Sequence, residues 1–238
     1  VNPLRFSSVS EAILLSLSLM AFPIHAQTDK EGGQHVGQLA VAAGMGVTEI
    51  IAYDVVDYLN QFILQRENRI EQFGTASEFF AAPELRLGDS FSTKFEYAYL
   101  LKSYQIIQAE GTHDVAYAVH MPTFVLHRII DGDGYALKFG GGVGYYFGSF
   151  NEKLSAYGMD RTLRASGVGI KLDVEGNTTL GDNLFVYLGV DARWSFIPTL
   201  RDGSGNNIII RVPNERAREV SMRFFSAGIK LGILFVLR

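Results

Sequence analysis

"GYALKFGGGVGYYFG" (134–148) sets six glycines among large apolar and aromatic residues. Its glycines invite a phosphate-binding loop, but the residue three after Gly144 is Phe147, which breaks G-x-G-x-x-G. No Lys-Ser or Lys-Thr pair follows to complete a Walker loop either. Read with period two, the stretch separates. Tyr135, Leu137, Phe139, Val143, Tyr145 and Phe147 fall on one face, broken by Gly141. Ala136, Lys138, Gly140, Gly142, Gly144, Tyr146 and Gly148 fall on the other. That is a long strand with one apolar face and one small, sparsely polar face.

The same alternation recurs over 37–47, 77–87, 91–104, 115–128, 165–175, 184–196 and 225–237, which predicts eight strands in all. Segment 115–128 is less tidy. Val115, Tyr117, Val119, Met121 and Val125 share a parity, His120 and Arg128 oppose them, and Pro122 suggests a bulge. Eight is the strand count of the smallest closed membrane barrels. A soluble barrel would have to bury its apolar face, yet eight strands leave an interior only just wide enough for side chains to fill. The Phe, Tyr, Leu, Ile and Val of the apolar faces exceed that volume. They are therefore expected to meet lipid, with Gly, Ala, Ser and scattered charges inside.

The connections support this. Short, turn-rich links at 88–90, 131–134 and 176–182 alternate with longer ones at about 48–75, 107–114, 149–163 and 197–220. Periplasmic turns and extracellular loops alternate in the same way, which puts both termini on the periplasmic side. Tyr97, Tyr99, Tyr117, Tyr145, Phe147, Trp194 and Phe196 are candidates for an aromatic girdle. The expectation is an all-β protein: an eight-stranded antiparallel transmembrane β-barrel with a short helix in the first extracellular loop.

The 238-residue chain has no cysteine, which excludes disulfides, thiolate metal sites and cysteine nucleophiles. A net charge of −4 without a basic cluster gives no footprint for nucleic acid. Residues 1–26 read as a secretory signal peptide, with Arg5 in the n-region, an apolar run from Ala12 to Phe22 and Ala26 before the cut. Residues 27–35 then form a periplasmic lead and 36–238 the barrel.

On these strands the chain resembles the small outer-membrane β-barrels of Gram-negative bacteria, of the OmpA, OmpX and OmpW type. "FEYAYLLKSY" and "LKFGGGVGYYFG" look like strands of porin-family barrels. "KLGILFVL" (230–237) is similar to the signal read by the barrel-assembly machinery, through Lys230, Gly232, Phe235 and Leu237; the departure is Arg238, where many such proteins end on an aromatic. The resemblance implies the outer membrane as location, with its lipid and lipopolysaccharide and the assembly machinery as partners. It names no substrate and no cofactor.

The predicted lumen holds Glu78, Glu84, Arg86, Lys94, Glu96, Lys102, His120, Arg128, Lys138, Lys171, Asp173, Glu175, Asp191, Arg193 and Lys230. In a narrow interior such charges must be paired or hydrated. Paired, they form a plug and leave a structural or surface-interaction role; hydrated, they line a narrow channel for small or apolar solutes. Segment 48–68 has helical spacing at Ile51, Val55, Leu59 and Phe62, either packed on the barrel rim or closing its mouth, and the long loops are where an extracellular ligand would bind. A lipid-modifying enzyme would need adjacent Ser, His and carboxylate. His127 and Ser103 share the outward parity at opposite strand ends, and His113–Asp114 lacks a serine, so no enzyme is expected. The histidines show no metal-ligand spacing.

Overall fold

The computed structural model describes residues 37–62, 70, 72–108, 111–154, 158–210 and 216–237. The predicted signal peptide, the periplasmic lead, Arg238 and positions 63–68 of the predicted helix lie outside these. Eight antiparallel strands close into one barrel: β1 (Leu39–Ile51), β2 (Gly74–Arg86), β3 (Phe91–Gln108), β4 (Gly111–Gly132), β5 (Tyr135–Leu154), β6 (Met159–Thr179), β7 (Leu184–Phe196) and β10 (Phe224–Leu237). The order around the wall is β1-β10-β7-β6-β5-β4-β3-β2, so closure is made by β1 against β10, from Leu39↔Leu237 to Ile51↔Phe225. Two further strands, β8 (Ile209–Ile210) and β9 (Arg218–Glu219), pair as a separate two-stranded sheet. The short helix α1 (Tyr53–Phe62) follows β1.

The strand faces sort as lipid demands over most of the wall. Phe139, Val143, Tyr145 and Phe147 of β5 point outward, as do Val168, Ile170, Leu172 and Val174 of β6 and Ile229, Leu231, Ile233 and Phe235 of β10. Val143 is 65% exposed, which no water-soluble core position would be. From Tyr135 to Phe147 the outward apolar run of β5 rises about 30 Å at the usual strand tilt, enough for the apolar band of an outer-membrane barrel.

Strands β3 to β6 are much longer than that band, at 18 to 22 residues. The predicted long connections at 107–114 and 149–163 are accordingly corrected. Pairing continues to Gln108↔Gly111 and to Leu154↔Met159, so the described residues of both are strand extensions. The bulge expected at Pro122 does not form. Pairing with β5 is interrupted at Met121 and Pro122 but resumes at Thr123↔Gly144 in the register of His120↔Phe147, and β3 still pairs Tyr97↔Pro122. The missing N–H is accommodated by a skipped bond, not by an inserted residue.

The predicted helix over 48–68 is shorter at its start, because Thr48 to Ile51 continue β1. Asp54 sits in the first turn of α1, where a carboxylate complements the helix dipole. Val55, Val56, Tyr58 and Leu59 are buried on one face, while Tyr53 is exposed. In the strand order β5 lies diametrically opposite β1. Tyr58 nevertheless packs edge-on against Phe150 of β5, with ring centroids 5.7 Å apart. The helix therefore spans the mouth of the barrel as a lid and does not merely rest on its near rim.

Candidate functional site

The lumen is filled in three layers. Beneath α1 lies an apolar layer in which Phe73, Tyr117, Val119, Met121, Phe150, Leu163, Met222 and Phe224 are all buried. The 197–222 connection adds Ile197, Leu200, Ile210 and Val220. The lid is pinned by two arginines from different parts of the chain. Arg218 bonds Asp54 and Asp57, Ser221 Oγ donates to Asp54 at 2.5 Å, and Arg161 bonds both the Tyr58 hydroxyl and, at 2.5 Å, Glu152. Burial, and then the neighbouring Glu152 carboxylate, push the Tyr58 hydroxyl well above its usual range, so it stays neutral as an acceptor for Arg161.

The middle layer is ionic, and its strand register explains why these residues meet. Lys94 and Glu96 on β3, Lys171, Asp173 and Glu175 on β6, and Asp191 and Arg193 on β7 each occupy alternate positions on the inward face. Like charges stand opposite along the wall, Lys171↔Arg193 and Asp173↔Asp191, which is unfavourable on its own. The compensation comes along each strand and across the lumen. Glu96 is the hub: its carboxylate receives Lys171, Arg193 and Lys230 at 2.8 Å each and Lys94 at 3.3 Å. Arg193 forks onto Glu78 at 2.6 and 2.9 Å and reaches Asp191 at 2.8 Å. Lys230 closes the ring on Glu78 and Asp191, both at 2.8 Å.

Lys94 continues the network to Asp173 and Glu175, and His127 Nε2 lies 3.0 Å from Asp173 Oδ1. Tyr187 donates to Glu175 at 2.8 Å and Thr48 to Glu78 at 3.2 Å. Five carboxylates (Glu78, Glu96, Asp173, Glu175, Asp191) thus face four cations (Lys94, Lys171, Arg193, Lys230) and His127. The set is neutral when the His127 ring carries a proton. Arg193 is fully buried at the centre of this set.

The third layer, at the end with the short turns, is thinner. Lys138 binds both oxygens of Glu84, at 2.6 and 2.5 Å, and Arg86 pairs with Asp131 at the rim. A cavity of about 100 Å³ lined by Glu84, Lys138, Ile129 and Asn177 stops there.

Of the predicted lumen charges, the structure joins Glu78, Lys94, Glu96, Lys171, Asp173, Glu175, Asp191, Arg193 and Lys230 in one network and leaves Glu84–Lys138 as a separate pair. Lys102 is near the lid, donating to the Thr75 carbonyl at 2.7 Å and lying over the rings of Phe73 and Tyr104. His120 and Arg128 are corrected: both point outward, His120 stacking on Tyr99 and bonding the Tyr97 hydroxyl at 2.6 Å. The parity of β4 is inverted relative to the sequence reading, so Tyr117 is a buried lumen residue and not part of a girdle, and His127 faces inward. Tyr97, Tyr145, Phe147, Trp194 and Phe196 do face outward. In the β10 sequence, Lys230 belongs to the ionic layer while Phe235 and Leu237 face out. Tyr187 was missed, although it shares the parity of Asp191 and Arg193.

The weighed catalytic pairs separate: Ser103 is outward and His127 inward, and His113 is buried while its neighbour Asp114 faces the other side. Ser92 stands opposite His127 in the register, but no hydrogen bond joins their side chains. Two oxygen-rich groups have metal-like spacing, His127/Asp173/Glu175 and Glu78/Glu96/Asp191. Lys94 fills the first and Arg193 with Lys230 the second, so their donors are committed to the protein's own cations.

The opening glycines make room for this layer. A Cβ on Gly140 would lie 2.1 Å from the His127 ring and 2.6 Å from Asp173 Oδ1, and one on Gly169 would strike the Tyr146 ring. Gly140→Val is therefore expected to displace the His127–Asp173 contact and cost about 1–3 kcal/mol through overpacking. Urea unfolding in detergent micelles, followed by the gel shift between unheated and boiled samples, reads this. An unchanged midpoint would refute the space-saving role.

Closed eight-stranded wall, outward apolar band and filled polar lumen together define a small β-barrel of the outer-membrane type. No protein-family model matches the chain, and no curated protein matches it. Solved structures do. The attachment invasion locus protein Ail of Yersinia pestis superposes with a TM-score of 0.51 at 8% identity, over 85% of this chain and 99% of Ail. Neisserial surface protein A gives 0.50 at 8%, over 83% and 96%, and a major outer membrane protein from Thermus thermophilus 0.51 at 11%, over 84% and 99%. At such identities the likeness is one of fold.

Proposed function

We propose that the protein is an integral outer-membrane barrel, closed to ions, that acts as a structural or surface-interaction element through its lid end. The observation that carries this reading is the continuous plug: apolar layer, ionic layer and Glu84–Lys138 pair follow one another down the axis. A channel would need a hydrated path past Arg193 and Glu96, which are fully buried against each other. Orientation follows from length. The long β-extensions, α1 and β8–β9 project from one end, which faces the exterior, and the short turns with both barrel termini face the periplasm. Segment 1–26 serves as the signal peptide, 27–35 as the lead, and Lys230, Gly232, Phe235 and Leu237 engage the assembly machinery. Among proteins of this fold, Ail is an attachment invasion locus protein, crystallised in complex with the heparin analogue sucrose octasulfate, and the neisserial protein is a surface protein. Those roles fit a rigid closed wall carrying an exposed end.

Conductance is the test. The chain from residue 27, refolded in lipid and verified by its heat-dependent gel shift, is expected to give no discrete current steps across a planar bilayer. Reproducible steps from a verified barrel would overturn the sealed reading.

A further inference from the structure

On the outward face of β6 the lipid-facing series Leu172, Ile170, Val168 ends, and Ser166, Arg164 and Thr162 follow towards the lid end. On β5 the partners change at the same level, from Phe147 to Ser149 and Asn151. Arg164 therefore sits just beyond the apolar band, at the height of lipid headgroups. The 197–205 segment folds back there. Arg164 N donates to the Arg201 carbonyl at 2.9 Å and Arg201 N to the Arg164 carbonyl at 3.0 Å. Directly opposite antiparallel residues share a face, so two guanidinium groups start from Cβ atoms about 5.5 Å apart. Both residues are exposed, and among the described residues neither makes an ion pair.

Two like charges in cross-strand opposition are unfavourable unless an anion joins them. The nearby carboxylates are engaged elsewhere. Asp202 accepts the Ser204 and Asn206 backbone N–H groups, at 2.9 Å each, and the Asn206 side chain, and these bonds hold it below the usual carboxylate range. Glu219 is held down first by the Thr199 hydroxyl at 2.5 Å, then by Asn207 at 2.8 Å, with Arg201 contributing only at longer range. Between the arginines, Phe147, Ser166, Pro198 and Thr199 line an open cleft of about 580 Å³, with Asp202, committed to its own loop, at its edge.

We infer that this cleft binds the phosphate monoester of a lipid headgroup in the outer leaflet, with Arg164 and Arg201 gripping the phosphate and Phe147 against the first acyl carbons. Guanidinium groups suit this ligand through paired, charge-assisted hydrogen bonds. The site's position at the edge of the apolar band selects an anchored phosphate over a soluble one. The inference rests on the outer-membrane reading.

The experiment uses the barrel in phosphatidylcholine nanodiscs with fluorescent diphosphorylated lipid A as probe. Arg164→Gln/Arg201→Gln is compared with the unaltered chain and with Lys153→Gln, which removes an exposed charge higher on the same wall. The double variant is expected to bind at least about tenfold more weakly, and Lys153→Gln within about twofold of the unaltered chain. Equal binding by the double variant, or equal binding of a phosphate-free analogue, overturns the site. Full displacement of the probe by millimolar inorganic phosphate would assign the cleft to a soluble anion and overturn the lipid. A barrel that fails to enter nanodiscs, shown by loss of its gel shift, would sink the membrane reading itself before any binding is measured.

Discussion

Replacing Glu96 with alanine is expected to lower the unfolding free energy by about 3–5 kcal/mol, the usual cost of removing one partner from a buried ionic set. Here the expected effect is at the upper end or beyond. Lys171, Arg193, Lys230 and Lys94 all converge on this carboxylate, and no water reaches them. Each cation keeps another carboxylate, Lys94 Glu175, Lys171 Asp173, and Arg193 and Lys230 both Glu78 and Asp191, but all four lose the one they share, which leaves their mutual repulsion less compensated in a low-dielectric space. Glu84→Ala is the comparison. It also strips a lysine of its partner, but Lys138 borders the cavity at the turn end and can be rehydrated there, so about 1–2 kcal/mol is expected. Urea titration in micelles, monitored by tryptophan emission from Trp194 and by the gel shift, reads both. Equal losses would mean that the ionic layer is hydrated, contrary to its geometry, and would reopen the channel reading.

The wall was legible in the strands whose sequence pattern was read within the membrane alone. In β5, β6, β7 and β10 lipid outside and a narrow lumen inside act on opposite faces, so hydrophobicity and parity coincide, and Lys171, Asp173, Asp191, Arg193 and Lys230 are placed correctly. The reading failed in β4 because that strand, at 22 residues, runs far beyond the bilayer. Past its lower half, with Phe124, Leu126 and Ile130 outside, the exterior becomes water, and the apolar Val115, Tyr117, Val119 and Met121 turn inward under the lid. The rule that apolar means outward reverses there, and carried Tyr117, His120, His127 and Arg128 to the wrong side. The lid itself was half legible: spacing marks an amphipathic helix at Val55 and Leu59. That it crosses to β5 depends on the strand order and on Arg161 and Arg218, none of which a local pattern contains.

Tyr58→Ala is expected to undock the lid while leaving the wall and its seal intact. The ring is buried, contacts Phe150 and accepts from Arg161, so truncation costs about 3–5 kcal/mol by the usual measure of aromatic-to-alanine changes in cores. Arg218→Ala breaks the other pin, but that pair is partly exposed and contributes only about 1 kcal/mol. In folded barrels Tyr58→Ala should make the 53–62 segment cleavable by added protease, whereas Arg218→Ala should change cleavage little. Neither variant should conduct, because Arg193, Glu96 and Lys230 still fill the lumen below. Current steps from Tyr58→Ala alone would transfer the seal from the ionic layer to the helix. Unaltered resistance to protease would show that the 197–222 connection, and not the Tyr58 contact, holds the lid. The expected result separates the two closures physically: the helix is held by burial of one apolar face and can be released locally, while the ionic layer is knitted across five strands and opens only with the barrel.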